Sequence, residues 1–348
     1  MDIARRLQAN PLVRPQDVKP SMPGLEVKCV LNPGAFRWKN KTWMLMRVAE
    51  LQSLKPGIIG TPIMDSAAPG GMRLFEVRRD DPNLANVGVH VFEYKKEKYL
   101  TTVSHLRLAC SDDGEHFAVA GTPTLLGQGA LETFGIEDCR VSQIDDIYYL
   151  TFTAVSESGV GVGLITTRNW KTFRRHGMIF PPQNKDCALF ERRFGSDFVC
   201  LHRPVGTELG GPYMWLARSK DLVHWGRYAC IARTRPGQWD EERIGAGAAP
   251  IRTKEGWLCI YHGTDRTRRY CLGALLLDLK RPEQVLARSR EPIMEPTAPY
   301  EAQGFFSNCV FTNGHVVDGD CVTVYYGAAD SVVCGAQFSI RDILGTLK

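Results

Sequence analysis

The chain has 348 residues, 44% of them hydrophobic, and a formal net charge of +5. Its Arg and Lys residues are dispersed, without the basic stripe and interleaved aromatics of a nucleic-acid-binding surface, so no nucleic-acid partner is expected. The N-terminal residues lack the apolar segment of a secretory signal, and no stretch approaches the length that spans a bilayer. We therefore predict a soluble, cytoplasmic protein without a membrane partner.

Eleven cysteines are scattered singly through apolar runs, as at Cys200, Cys259 and Cys309. No CxxC spacing or Cys/His ligand pair occurs, so neither a zinc site nor a redox motif is predicted. Reduced, buried thiols are the expectation. No motif implies a metal or an organic cofactor.

Five segments share one pattern: an apolar or β-branched run, a turn rich in Lys, Asn, Asp or Gly, and a second run richer in aromatics. This is the pattern of a β-hairpin. The segments are LNPGAFRWKNKTWMLMR (31–47), IEDCRVSQIDDIYYLTFT (136–153), NKDCALFERRFGSDFVCLHR (184–203), GAGAAPIRTKEGWLCIYH (245–262) and FSNCVFTNGHVVDGDCVTVYYGAAD (306–330).

A second motif, a strand followed by a polar turn and an aromatic residue, lies between the hairpins at 106–117, 163–173 and 214–225. A repeated hairpin followed by a further strand fits four-stranded blades in a ring. We predict an all-β protein, a single five-bladed β-propeller domain over residues 1–348 with a central funnel. A β-sandwich with coincidental spacing is the alternative.

The first interval between hairpins is about twice the others, so it contains an insertion or a degenerate copy of the repeat. The segment from Leu51 to Asn86 accounts for part of it. It is expected to form either a loop over the funnel mouth or a packing arm in a homo-oligomer.

The innermost strands of a propeller line one funnel, so unusual residues on the hairpins should converge there. Asp138 begins the second hairpin, and strand alternation places it on one face with Arg140 and puts Glu137 on the other. Taken alone, Asp138 fits a structural ion pair as well as a catalytic acid.

The later hairpins carry side chains that can donate to an anion. These are Lys185, His202, Arg203, Arg243, His262 and Tyr270. Taken singly, each has a structural explanation: Lys185 and Arg243 as solvated charges, Arg203 as an ion-pair partner, His262 as a core histidine and Tyr270 as a packing residue. Their occurrence at corresponding hairpin positions favours a shared site.

A ring of donors facing one acid suits phosphate-dependent cleavage of a glycoside. Inverting hydrolysis needs two carboxyl groups, one to protonate the leaving oxygen and one to activate water. Phosphate arrives already anionic, so cations can take the place of the second carboxylate.

Short segments spread over nearly the whole chain match a known pattern. They are NPLVRPQDVKP, NPGAF, MRVAE, SHLRLACS, GIEDCRV, FPPQNKDCALF, LHRP, RIGAGAAPI, IYHGTD, YCLGALLLDL, FFSNCVF and YYGAAD. With these segments the chain resembles glycoside hydrolase family 130, whose members are mostly β-mannoside phosphorylases on a five-bladed β-propeller.

The resemblance implies that Asp138 is the general acid, protonating the glycosidic oxygen through the 3-hydroxyl of the mannose that is transferred. Phosphate then attacks the anomeric carbon from the opposite face, which gives α-mannose 1-phosphate with inversion. The implied phosphate ligands are Lys185, Arg203, Arg243, His262 and Tyr270. The implied sugar ligands are Asn32, Arg47, Ser104, His105, Arg140, Asp186 and Asp330, with Ser104 and His105 near the acceptor.

Two departures from the family pattern bear on the prediction. Cys139 replaces the proline of the E-D-P-R motif, which changes backbone stiffness but not the chemistry of Asp138. Arg243 stands where many β-1,4-acting members have lysine. With MRVAE and SHLRLA, this favours phosphorolysis of β-1,2-mannobiose or short β-1,2-mannooligosaccharides.

Three other functions are weighed against this one. A β-1,4-mannoside phosphorylase would differ in linkage, and an exo-β-1,2-mannosidase would use water, with Glu241 or Glu242 as a base. A sugar-binding propeller without turnover would not need an acid opposite an anion site.

Overall fold

The computed structural model describes residues 2–88, 91–206 and 209–347. Five antiparallel sheets, four with four strands and one with a fifth, short strand at Ile251–Arg252, form blades around an axis, as the hairpin pattern predicts. Written from the innermost strand outward, the blades are Leu25–Trp38, Lys41–Gln52, Thr102–Ser111 and Ala118–Val119 (blade 1); Ile136–Ile144, Ile147–Ser156, Gly159–Thr167 and Arg174–Phe180 (blade 2); Asn184–Leu189, Phe198–Pro204, Met214–Ser219 and Trp225–Ala232 (blade 3); Arg243–Ala246, Trp257–Thr264, Tyr270–Leu277 and Val285–Arg288 (blade 4); and Val310–Asp318, Cys321–Ala328, Val332–Ser339 and Arg5–Arg6 (blade 5).

The blades close into a ring, because the innermost strand of blade 1 contacts the innermost strands of both blade 2 and blade 5. Each interface between neighbouring blades contains its own cluster of buried apolar side chains. A strand inside a blade therefore buries both of its faces, one against each neighbour. This is why its sequence is a continuous apolar run and not a strict alternation of apolar and polar residues.

Blade 4 departs from the predicted hairpin at its start. Its innermost strand ends at Ala246, before Gly247, and the chain pairs with Trp257–Thr264 again only at Ile251–Arg252. A Cβ on Gly247 would lie 2.6 Å from the carbonyl oxygen of Ile260. The chain thus passes too close to the next strand for any other residue at this position.

The insertion in blade 1 is longer than Leu51–Asn86 and carries its own strands. It contains a hairpin, Ile58–Met64 with Met72–Arg78, and a small sheet, Leu84–Ala85, Val91–Tyr94 and Glu97–Leu100. Ile59, Val77 and Phe92 form its apolar cluster. It joins the second strand of blade 1 to the third.

Helices are few and short. The 3-10 turns are Pro15–Asp17, Pro69–Gly71 and Ala130–Glu132, and the α-helices are Pro299–Ala302 and Ile340–Gly345. In the described part of the chain no helix has the length and apolar character needed to cross a membrane.

The N-terminal segment supplies the outermost strand of blade 5, where Arg5 pairs with Gln337 and Arg6 with Ala336. The Arg6 guanidinium lies 3.1 Å from the fully buried carboxylate of Glu301 and 2.8 Å from Asp2. Glu301 also accepts a hydrogen bond of 2.7 Å from the hydroxyl of Tyr326. Arg6 therefore fastens the N-terminal segment to the last blade.

We expect Arg6→Ala to lower the free energy of unfolding by about 3 kcal/mol, because it leaves the Glu301 carboxylate buried without its cation. Urea unfolding followed by tryptophan fluorescence measures the change. Arg5→Ala is the matched control, since Arg5 lies on the same strand with an exposed side chain and no ion pair among the described residues. An equal decrease in the free energy of unfolding of both variants would show that the ion pair of Arg6 does not fasten the N-terminal segment to the blade.

Candidate active site

A cavity on the propeller axis receives side chains from all five blades and from the segment preceding the last one. We call it the inner cavity. It is lined by Asn32, Arg47, Asp138, Lys185, Asp186, Arg203, Arg243, Tyr270, Phe306, Cys309, Phe311 and Asp330. Nine of the thirteen predicted site residues are in this set, so the hairpins do converge on one place.

Three of the polar residues reach the cavity through a local break in strand geometry. Asn32, Asp138 and Asp186 lie at register shifts of their innermost strands and have positive φ angles of 46°, 49° and 55°. Asn and Asp are the non-glycine residues that tolerate this left-handed conformation best. A bulge re-aims the side chain of the strand in which it occurs.

This bulge overturns the predicted alternation around Asp138. Arg47 Nη1 lies 3.2 Å from Asp138 Oδ1, and Arg47 Nη2 donates to Glu137 Oε1 at 2.6 Å. The neighbouring carboxylates therefore share one guanidinium and do not point to opposite faces. Arg47 Nε also donates to Ser104 Oγ at 2.9 Å, which places Ser104 beside this cluster but outside the cavity lining.

Asp138 is buried, and its environment favours the ionised carboxylate. Burial opposes ionisation, but the charges of Arg47 and Lys185 and the 3.1 Å hydrogen bond from Asn32 Nδ2 outweigh it. The pKa of Asp138 is consequently lowered from its usual value. A site that uses Asp138 as an acid must therefore change this electrostatic balance when ligands bind.

Asp186 is the centre of a second buried ion cluster. Its Oδ1 accepts from Arg140 Nη2 at 3.0 Å and its Oδ2 from Arg203 Nε at 2.6 Å, while His262 Nε2 lies 3.3 Å from Oδ2. Burial opposes ionisation here too, yet Arg203, His262 and Arg140 hold the pKa of Asp186 well below its ordinary range. A Cβ on Gly245 would lie 2.2 Å from Asp186 Oδ2, so only glycine fits beside this carboxylate.

Arg140 and His262 lie behind the inner cavity and do not line it. The Arg140 guanidinium also donates to the carbonyl oxygens of Asp138, Ala246 and Gly247, so it ties three blades together. His262 is 1% exposed, and burial lowers the pKa of its ring in spite of Asp186. Both residues position Asp186.

His105 is not brought to the inner cavity. Its ring is fully buried on the other face of its strand, with Nε2 3.7 Å from the buried carboxylate of Glu50. Glu50 in turn accepts hydrogen bonds from Ser21, so this cluster anchors an N-terminal segment. His202 is also turned away, stacked on Phe180 at 4.4 Å.

The cationic side of the inner cavity is formed by Lys185, Arg203 and Arg243. Lys185 and Arg203 are paired residues of the two innermost strands of blade 3. Arg243 Nη1 donates to the hydroxyl of Tyr270 at 2.7 Å and makes no ion pair with any described residue. Burial raises the pKa of Tyr270, although Arg243 opposes the rise, so its hydroxyl stays protonated and can donate.

Asp330 brings a carboxylate to the cavity without a hydrogen-bond donor from any described residue. Burial raises its pKa to about 6; Arg47 opposes the rise, and the charges of Asp138 and Glu137 add to it. Such an unpartnered carboxylate is suited to accept hydrogen bonds from sugar hydroxyls.

The sequence interpretation missed Glu137, Phe306, Cys309 and Phe311. Phe306 and Phe311 place aromatic rings in the cavity wall, and aromatic rings commonly pack against sugar and apolar surfaces. The segment GFFSNCVF could have indicated the aromatic residues of the cavity, because it has two adjacent aromatic residues just before an innermost strand. Cys309 is buried, which raises the pKa of its thiol.

A second cavity, the outer cavity, adjoins the inner one and shares Arg243, Tyr270 and Phe306 with it. Its other lining residues are Glu242, Thr264, Asp265, Arg266 and Arg268. The Glu242 and Arg266 side chains are 53% and 77% exposed, so this cavity borders solvent. Among the described residues, no group of three His, Cys, Asp or Glu side chains is arranged to hold a metal ion.

The model of a known family, described as β-1,4-mannooligosaccharide phosphorylase, matches residues 81–348, and it is the model of glycoside hydrolase family 130. The chain belongs to glycoside hydrolase family 130. This confirms the family predicted from the sequence motifs.

Relatives of this family 130 chain match between 71% and 99% of its length. A β-1,2-mannobiose phosphorylase of Listeria innocua is 40% identical over 348 residues, which cover 99% of this chain and 98% of the relative. A 1,2-β-oligomannan phosphorylase of Thermoanaerobacter is 37% identical over 249 residues, covering 71% and 82%. The structure of the Listeria innocua enzyme in complex with β-1,2-mannobiose superimposes with a TM-score of 0.92 at 39% identity and covers 99% of both chains.

We expect Asp330→Asn to stabilise the protein at about pH 7.5. A raised pKa means that the folded state holds the charged carboxylate less well than the unfolded chain, whose Asp titrates near 3.8. The increase in the free energy of unfolding should shrink as the pH falls through 6 and vanish below about 4. Urea unfolding at several pH values tests this, with Asp318→Asn, an exposed aspartate, as control. A gain that is constant with pH would contradict it.

Proposed function

We propose that this protein catalyses the inverting phosphorolysis of β-1,2-mannobiose or short β-1,2-mannooligosaccharides. Inorganic phosphate is the co-substrate, and the products are α-D-mannose 1-phosphate and a shortened sugar. The observation that carries the proposal is one cavity in which Asp138 faces Lys185, Arg203 and Arg243. The β-1,2-mannoside phosphorylases among the relatives support the substrate and the glycosyltransferase-type reaction.

The cationic side of the inner cavity is the proposed phosphate site. Arg243 and Tyr270 present a guanidinium and a hydroxyl, Lys185 adds a compact charge, and all three can donate to phosphate oxygens. Asp186 lies among these cations, but its two oxygens are occupied by Arg140 and Arg203. The cluster therefore keeps a net positive charge for an anionic nucleophile.

Phosphate binding would also prepare Asp138 for acid catalysis. In the free protein Lys185 helps to lower the pKa of Asp138. An anion beside Lys185 neutralises part of that effect, so the pKa of Asp138 rises toward the range in which it holds a proton. Asp138 then delivers this proton to the glycosidic oxygen, through the 3-hydroxyl of mannose in the family mechanism, while phosphate attacks from the opposite face.

The non-reducing mannose is proposed to lie between Asn32, Arg47 and Asp330. These groups bond to sugar hydroxyls, and an epimer that left them unpaired would be disfavoured. Arg140 and His262 lie behind the cavity and hold Asp186, which in turn fixes the position of Arg203. No metal or organic cofactor is proposed, because the sequence offers no ligand spacing for one.

Hydrolysis by the same fold needs a base on the face opposite the acid. Neither Glu241 nor Glu242 lines the inner cavity; Glu242 lies in the outer cavity, and Glu241 Oε2 accepts from the amide of Gly237. Asp330 lines the inner cavity, but so do three cations, Lys185, Arg203 and Arg243, which can bind an anion. These cations favour phosphate over water as the nucleophile.

The deciding experiment incubates the protein with β-1,2-mannobiose, with and without inorganic phosphate, and separates mannose 1-phosphate from mannose. We expect phosphate-dependent mannose 1-phosphate, and a loss of about 10²- to 10⁴-fold in turnover for Asp138→Asn, because the acid is removed while its volume is kept. Mannose released without phosphate would indicate a hydrolase. Turnover of β-1,4-mannobiose alone would overturn the linkage.

Arg243→Gln should raise the KM for phosphate by about ten- to one-hundredfold, the loss of one charged hydrogen bond. The KM for β-1,2-mannobiose should change little, because Arg243 lies on the cationic side of the cavity. Initial rates over a matrix of both substrates separate the two constants. A rise only in the KM for β-1,2-mannobiose would assign Arg243 to the sugar site instead of the phosphate site.

A further inference from the structure

The outer cavity has no part in the proposed chemistry, yet it opens directly onto the phosphate side of the inner cavity. The two cavities share Arg243, Tyr270 and Phe306. Arg243 thus faces both of them. Any small ion that moved from the outer cavity into the inner one would pass Arg243.

The charges of the outer cavity favour an anion. Its lining holds three arginines, Arg243, Arg266 and Arg268, against two carboxylates, Glu242 and Asp265. Arg266 Nε lies 3.3 Å from Glu241 and 3.7 Å from Glu242, so this group keeps one negative charge. The Asp265 carboxylate is paired with Arg269 Nε at 3.2 Å.

Arg268 is left without a counter-charge. Its side chain is exposed and forms no ion pair within the described ranges, and it extends from the turn that Asp265 braces. Its φ angle of 63° is held by that turn. Arg243 and Arg268 bring two positive charges against the one negative charge left beside Arg266, so together they give the outer cavity a net positive charge.

An inverting displacement brings phosphate to one side of the transferred mannose and releases the shortened sugar from the other side. The nucleophile and the leaving group lie on opposite faces of the anomeric carbon. The phosphate therefore comes from the side of Arg243 and Tyr270, on which the outer cavity lies. The sugar that leaves departs from the side of Asp138, next to blade 1.

On the basis of the proposed function, we propose that the outer cavity is the entry route for inorganic phosphate. Arg268 is then a steering residue, whose charge concentrates the phosphate dianion in that cavity. Clefts lined by one sign of charge raise the local concentration of a charged substrate and its rate of capture. Such an effect is screened by salt, unlike a buried direct contact.

The test compares wild type, Arg268→Gln, Arg268→Lys and Arg252→Gln, with saturating β-1,2-mannobiose and varied phosphate. Arg252 is an exposed arginine on the same blade, so its variant has the same net charge as Arg268→Gln. At low ionic strength we expect Arg268→Gln to lower kcat/KM for phosphate by about three- to tenfold. Arg268→Lys should stay close to wild type, because steering requires only the charge.

In about 0.5 M sodium chloride the Arg268→Gln defect should largely disappear, while kcat and the KM for mannobiose stay unchanged throughout. A defect that persists at high salt, or an equal defect in Arg252→Gln, would overturn the steering role. A higher KM for mannobiose in Arg268→Gln would indicate that the outer cavity serves the sugar and not phosphate. A wild-type protein that forms no mannose 1-phosphate would refute the proposed function, and the entry route with it.

Discussion

The site depends on a break in strand alternation that is repeated around the axis. An innermost strand buries both faces between neighbouring blades, so beyond its first residues a regular position directs the side chain into an interface between blades and not at the cavity. Asn32, Asp138 and Asp186 meet this demand at bulges, in a left-handed backbone conformation. The same local device in three blades brings together side chains that lie far apart in the sequence.

Charge balance then divides the cavity into two parts. Arg47 is shared by Glu137 and Asp138, and Asp186 is held between Arg140 and Arg203. Each cluster compensates only part of its own charge: the Arg47 cluster keeps one negative charge and the Asp186 cluster keeps one positive charge. Asp330, Lys185 and Arg243 have no ion-pair partner among the described residues and add to this imbalance. The charges that are left uncompensated are what a sugar and an anion would satisfy. This uncompensated remainder is the physical basis of the proposed reaction.

The sequence predicted the five hairpins well, because strands buried on both faces give apolar runs bounded by polar turns. It missed Arg5–Arg6 as a strand, since two residues carry no periodicity, and it placed the end of the blade 1 insertion too early. It also could not tell lining residues from supporting ones. Arg140 and Asp186 look alike as charged neighbours of a strand start. Only the bulge geometry shows that Asp186 lines the cavity while Arg140 lies behind it.

The pairing of residues 5–6 with 336–337 has a consequence for biosynthesis. Contacts between residues so distant in sequence form late, because a long loop must close first. On the ribosome blades 1 to 4 can pair their own strands as each is made, but blade 5 remains one strand short until the N-terminal segment returns to it. Until then, the exposed edge of Val332–Ser339 presents unpaired backbone groups that a second copy of the chain can occupy. Arg5–Arg6 therefore protects the edge of Val332–Ser339 from association between chains.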